Sequence, residues 1–342
     1  MPTTPWPPGT ATGVGSMPGT DPVEAAAVVV GELPDLPHLP ELPARGLGAD
    51  LIGRTAGLLV DLAVEEVPSG YRVTAHPGAD HRRAVDLMRR DLDAFQDALD
   101  RAGTKPAAVK VQLAGPWTLT AGIELPRGHR VLTDRGALRE FTESLAEGLA
   151  LHADEVRRRT GCPVVVQLDE PSLPTILAGA LRSPSGLEAV SAVAEPNARE
   201  VLARVIAAAG EVPVIVHCCA TRPPVALFHA AGAAAISLDA TLLDGAPAVL
   251  ADEIGEAWDA GTVFLLGLLP ATDPAQPPTL AEVAGPALRL VDRLGFPRTL
   301  LGQRAVPTPA CGLTGASATW AKRALALLRD VGRAFVEPPE SW

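Results

Sequence analysis

The chain has 342 residues, 47% of them hydrophobic and only 4% aromatic, with a formal net charge of −11 at pH 7. That acidity argues against nucleic acid or an anionic membrane as partner, because both demand a basic face. Four scattered cysteines are too few for a disulfide scaffold, no unbroken apolar run reaches the length of about 18 residues needed for a membrane span, and the opening MPTTPWPPGTATG lacks the basic and apolar regions of a signal peptide, so a cytoplasmic address is expected.

In chain order, residues 12–16 read as a first strand running into the glycine-rich turn Gly13-Val14-Gly15-Ser16-Met17-Pro18-Gly19. Its backbone amides can cradle a carboxylate, or the turn can be a plain strand-to-helix connection. No Gly-Lys-Ser/Thr follows, so it is not a P-loop. Residues 32–43, ELPDLPHLPELP, must be extended, since proline at every third place forbids a helix. Further strand-like runs cover 107–113, 163–168, 213–217, 234–239, 263–268 and 299–302. Amphipathic helical runs cover 82–102, 138–159, 197–209, 246–260, 280–294 and 318–335. An eighth strand is expected between Leu39 and Leu62. Strands alternating with helices predict an α/β protein with a parallel sheet, and eight such units close a single (β/α)8 TIM barrel. An open doubly wound sheet is the rival.

The chemistry concentrates at strand ends. Val214-Ile215-Val216-His217-Cys218-Cys219 is an apolar run ending in one imidazole and two thiols. Side chains two apart on a strand share a face, so His217 and Cys219 converge while Cys218 points into the core. The following run ends in Asp239, and the last is followed by Cys311-Gly312-Leu313. In a barrel all of these lie at the C-terminal mouth, and two thiolates, an imidazole and a carboxylate make a tetrahedral zinc set. Each cysteine taken alone reads as a small buried hydrophobe. Cys162 opens a strand at the opposite end and reads as structural. Gln167-Leu168-Asp169-Glu170-Pro171 places two acids at the same mouth, where one can bind an amine or act as a base, or cap the helix that follows. Ala114-Gly115-Pro116-Trp117-Thr118 reads as a further mouth loop.

Together these motifs resemble, in order along nearly the whole chain, the catalytic C-terminal barrel of cobalamin-independent methionine synthase, in the superfamily that includes uroporphyrinogen decarboxylase. The resemblance implies that 1–342 form one such barrel with an irregular N-terminal extension. It implies a zinc-dependent methyltransferase acting on a small thiol amino acid such as homocysteine. His217, Cys219, Asp239 and Cys311 would be the zinc ligands, with Asp239 where the family has Glu. Val14, Gly15 and Ser16 would bind the substrate backbone, and Asp169 its amine. The family's folate-site Trp and Glu are replaced by Gly122 and Thr175, and Leu269-Pro270-Ala271-Thr272 stands where its proton-donor His is found. No counterpart of the N-terminal folate-binding barrel is present in the sequence. This pattern resembles the short core members, for which a corrinoid protein is the implied methyl donor. A metal-free decarboxylase of the superfamily and a non-catalytic zinc- or ligand-binding barrel stay open as alternatives.

Overall fold

The computed structural model describes residues 4–103 and 105–338. Helix α1 (Pro22–Glu32), helix α2 (Leu51–Ala56) and the hairpin β1 (Ala63–Val67) and β2 (Gly70–Thr74) precede helix α3 (Ala79–Ala102). Then come β3 (Val109–Ala114), α4 (Pro116–Gly122), the short β4 (Ile123–Glu124), α5 (Arg135–Thr160), β5 (Val164–Asp169), α6 (Leu173–Leu177) and α7 (Glu195–Ala208). The chain continues through β6 (Val214–Cys218), α8 (Val225–Ala230), β7 (Ala235–Asp239), α9 (Ala248–Asp259), β8 (Val263–Leu269), α10 (Leu280–Leu294), α11 (Thr299–Arg304), β9 (Ala305–Pro309) and α12 (Ala318–Val336).

Six strands, in the order β3-β5-β6-β7-β8-β9, form one all-parallel sheet that curls as half a barrel. Their residues are buried almost throughout, as expected of valine- and leucine-rich strands covered on both faces. The covering helices follow their apolar spacing. In α3, Ala84, Leu87, Met88, Leu92, Phe95 and Leu99 face the core, and Gly103 ends the helix at φ 64°. A capping box between Thr279 and Glu282 starts α10.

Two extended segments lie between β9 and β3. The Thr12 N–H donates to the Pro307 carbonyl of β9 over 3.2 Å. Ser16 bridges to Glu41, and His38 bridges to Lys110 of β3, both in parallel sense. Leu33, Leu36, Leu39 and Leu42 of the proline-rich segment are all buried. The prolines between them have no N–H to give, so the segment makes isolated bridges rather than a continuous ladder.

Two expectations are corrected. Residues 299–302 are helix, not strand; Arg298 caps α11, and the strand is the next stretch, Ala305–Pro309. Its two prolines hid it, yet the Pro307 carbonyl still accepts from Thr12. The strand sought between Leu39 and Leu62 is met only at the start of that interval, where Leu39 and Glu41 bond to β3 and to the glycine-rich turn; the rest holds a short 3-10 turn (Pro43–Arg45) and α2.

The period of two along the strands sorts the inner face into levels. Ala108, Val165, Ile215, Ala235, Leu265 and Val306 form one apolar cluster with Leu36 and Trp6. Two residues further along their own strands come Lys110, Gln167, His217 and Ser237, and two further still Gln112, Asp169, Cys219 and Asp239, with the register setting Asp169 level with His217 and Ser237. The inner face is therefore apolar at the N-terminal end of the sheet and polar toward the C-terminal end.

Candidate metal centre

Asp169 pairs with His217 across β5 and β6, and His217 with Ser237 across β6 and β7. This register brings three polar side chains from successive strands to one height. His217 Nδ1 lies 2.9 Å from the Ser237 hydroxyl. Cys219 follows on the same face, one residue past β6, and Cys311 arrives from the loop after β9. Their sulfurs are 3.4 Å apart. Cys218, between the two inward residues, is fully buried in the apolar core on the other side, as the alternation requires. Cys162 is buried at the start of β5, far along the strand from the mouth.

His217, Cys219 and Cys311 each offer a ligand atom, and these atoms all lie within 4.8 Å of one another. The Cys219 thiol donates to Cys311, which pulls Cys311 down to about 4, and a hydrogen bond from His217 acts in the same direction. Cys219 is correspondingly pushed above the ordinary thiol range by that bond and by burial. Two sulfurs around a tetrahedral zinc, each at about 2.3 Å, stand about 3.7 Å apart. The observed spacing is close to that, and far from the S–S bond of about 2.05 Å in a disulfide. The donor set and its spacing fit zinc. Asp239 ends β7 beside this group but is not gathered into it: its Oδ1 accepts from the Thr241 N–H at 2.9 Å and the Thr241 hydroxyl at 2.6 Å.

Beneath and beside the sulfurs lies a buried polar cluster. Val14, Gly15 and Ser16 run along its rim, held by Met17 N–H to the Glu41 carbonyl (2.8 Å) and Glu41 N–H to the Gly15 carbonyl (3.2 Å). The amides of Gly15 and Ser16 take no part in these bonds. Asp169 accepts from Gln167 Nε2 at 2.7 Å, and burial lifts it to about 6. Glu41 is buried as well and is lifted to about 7, with the neighbouring Asp169 charge contributing to the rise. Glu170 faces elsewhere. It accepts from the amides of Trp117 (3.0 Å) and Thr118 (2.8 Å) and from the Thr118 hydroxyl (2.8 Å), so it caps α4, the helix before it in the chain. A Cβ on Gly115 would stand 2.4 Å from that carboxylate. Gly115-Pro116-Trp117-Thr118, expected as a loop, is the cap and first turn of α4, built around Glu170.

Residues 8–334 match the family described as cobalamin-independent synthase, catalytic domain. The chain belongs to that family. A B12-independent methionine synthase from Shewanella sp. W3-18-1, whose structure is a complex with selenomethionine, superimposes with a TM-score of 0.62 at 13% identity, covering 96% of this chain and 98% of that one. Other solved structures are less similar: a GH113 β-1,4-mannanase has a TM-score of 0.43 at 13% identity, covering 98% and 99% of the two chains. A 3-keto-D-glucoside 4-epimerase from E. coli has 0.37 at 12%, covering 71% and 86%. No curated protein sequence matches the chain.

For a cobalamin-independent synthase domain, the residues singled out in the sequence sort as follows. His217, Cys219 and Cys311 come together; Val14, Gly15, Ser16 and Asp169 line the adjoining cluster; Asp239 stands at the edge. Three participants were not singled out: Ser237, Glu41 and Lys110. Ser237 and Lys110 carry a signal, a polar residue at an alternate place in an otherwise apolar strand. Glu41 carries none, because it lies in the proline-rich segment. A Cβ on Gly122 would stand 2.8 Å from Ile52 Cγ1, so Ile52 already fills the space beside it. Among the described residues no helix is long and apolar enough to cross a membrane.

Proposed function

We propose that this chain is a zinc-dependent methyltransferase that methylates the thiol of a small amino acid of the homocysteine type, giving a thioether such as methionine. The observation that carries the reading is the meeting of His217, Cys219 and Cys311 from two distant parts of the chain. These three would hold the metal, with Asp239 as a fourth protein ligand that must compete with the Thr241 hydrogen bonds. Zinc bound there supplies the charge that keeps a substrate thiol deprotonated near neutral pH, and the thiolate is the nucleophile.

The chain's own residues would do the rest. The free amides of Gly15 and Ser16, beside Val14, receive the substrate carboxylate. Asp169 and Glu41, two carboxylates in one buried cluster, receive its ammonium group. An incoming cation would favour the ionised form of both and so draw their raised pKa values down. Ser237 fixes the imidazole of His217 so that Nε2 faces the sulfurs. We also infer that segments 10–17 and 36–42 serve as the first two staves, completing a (β/α)8 barrel, and that 1–342 form one domain in which the N-terminal stretch, through Trp6, helps close the floor. A cytoplasmic setting suits free thiolate ligands.

The methyl donor is read from the departures alone. With Ile52 in the space beside Gly122, Thr175 on α6 and Leu269-Pro270 at the end of β8, the elements of a folate site are absent, and a corrinoid protein is the proposed donor. The test is metal analysis of the purified protein, followed by assay of methyl transfer to homocysteine from methylcobalamin and from methyltetrahydrofolate. Zinc near one equivalent with transfer from the corrinoid is expected. Protein that binds no zinc and transfers from neither donor would sink the proposal.

A further inference from the structure

Lys110 lies near the start of β3, points to the inner face of the sheet and is completely buried. An ammonium group has three N–H donors. All three find acceptors: the Val14 carbonyl at 2.9 Å, Gln112 Oε1 at 3.2 Å and Gln167 Oε1 at 2.7 Å. None of these acceptors is charged. Burial pushes Lys110 down to about 7 against the pull of the Asp169 and Glu41 charges, so keeping an ammonium here without a directly bonded anion is costly, and the expense needs a reason.

The orientation of the two glutamines supplies it. Each amide has an oxygen and a nitrogen on opposite sides, so turning both oxygens to Lys110 turns both nitrogens away from it. Gln167 Nε2 then donates to Asp169 Oδ1 at 2.7 Å and to the Val14 carbonyl at 2.9 Å. Gln112 Nε2 donates to the Leu39 carbonyl at 2.8 Å and reaches Glu41 Oε1 at 3.4 Å. One cation thus sets two amides, and each amide presents a donor to one carboxylate. The same cation pins Val14, the first residue of the loop at the rim.

We propose that Lys110 is the positioning residue of the amino-acid subsite: through Gln167 and Gln112 it orients Asp169 and Glu41 toward the substrate ammonium, and through the Val14 carbonyl it sets their distance from the carboxylate-binding amides. Lys110 touches no substrate in this arrangement. It makes the site a gauge for the two charged ends of an α-amino acid, independent of the sulfur end held at the metal. This proposal rests on the amino-acid reading of the site given above.

The test compares two thiols on the zinc-loaded protein by calorimetry: homocysteine, and 2-mercaptoethanol, which has neither charged end. In Lys110→Met, homocysteine affinity should fall at least tenfold, with zinc stoichiometry and 2-mercaptoethanol affinity unchanged. Gln167→Met, which keeps Lys110 but cuts its connection to Asp169, should show the same selective loss and stands in if Lys110→Met does not fold. Equal weakening of both thiols in the folded variant would mean a merely structural role and overturn the proposal, as would homocysteine affinity within twofold of the parent. Failure of the parent itself to prefer homocysteine over 2-mercaptoethanol would overturn the amino-acid reading instead, and the proposal with it.

Discussion

The backbone N–H of Leu313 donates to the carbonyl of Ser16 over 2.8 Å. This bond ties the loop after β9 to the glycine-rich turn near the start of the chain, so the segment bearing Cys311 and the turn proposed to receive the substrate carboxylate are one piece of structure. Gly312 sits at the contact, where a Cβ would fall 1.9 Å from the Ser16 hydroxyl. Gly312→Ala is therefore expected to displace the Ser16 side chain and weaken homocysteine binding several-fold while zinc is retained. Adding Ser16→Gly should restore part of the loss. Titration of the thiol into zinc-loaded single and double variants checks this, and an unchanged affinity in Gly312→Ala would contradict it.

Metal content should separate the cysteines cleanly. Cys219→Ser and Cys311→Ser are expected to lose zinc and all methyl transfer, whereas Cys218→Ser, whose side chain faces the apolar core, should keep a full equivalent at some cost in stability. Asp239→Ala should weaken zinc less than either cysteine variant, because its carboxylate is already engaged by Thr241. Plasma mass spectrometry of dialysed proteins gives the stoichiometries. A zinc-free Cys218→Ser protein that is folded would reverse the assignment of faces.

Ser237 offers a subtler readout. Partners of a metal-bound histidine's second nitrogen typically matter by about 10–100-fold in metal affinity or activity. Ser237→Ala removes the 2.9 Å contact to His217 Nδ1 and leaves the cysteines alone. Competition with a chelator should show zinc held more weakly by at least tenfold, with the fold intact by circular dichroism.

A pH dependence of stability follows from His152 on α5. It is buried with no hydrogen-bond partner at either ring nitrogen, and burial, with the nearby Arg54 charge, pushes it down to about 3. The unfolded chain takes up a proton at this histidine near pH 6.5, while the folded chain refuses it until about 3. His152 therefore contributes stability above pH 6.5 that is lost as pH falls through that window, at up to about 1.4 kcal/mol per pH unit. Asp169, Glu41 and Glu170, lifted to between about 6 and 7, act in the opposite sense, since the folded state holds protons that the unfolded state releases. The difference between His152→Leu and the parent isolates the histidine. In urea melts the variant should gain on the parent steadily from pH 6.5 to 4.5, and parallel curves would refute the assignment.

Much of the site was legible because strands keep a strict period of two. Val109-Lys110-Val111-Gln112, Val166-Gln167-Leu168-Asp169, Val216-His217-Cys218-Cys219 and Ile236-Ser237-Leu238-Asp239 each alternate apolar and polar, so one face of the sheet had to be polar near its C-terminal end. The parallel sheet followed from the same runs and the helices between them. Less legible were the places where backbone chemistry departs from the pattern. Prolines conceal the strand Ala305–Pro309, and the apolar stretch beginning at Thr299 belongs to a helix.

From sequence alone came the parallel strand–helix repeat, the inward-facing residues and the separation of Cys218 from its neighbours, all of which depend only on local periodicity. Which residues share a height depends on how each strand is shifted against the next, and that shift is set by packing across the whole sheet. Only the folded chain therefore revealed that Ser237 meets His217, that Asp239 turns to Thr241, and that Lys110 and Glu41 join Asp169 in one buried cluster.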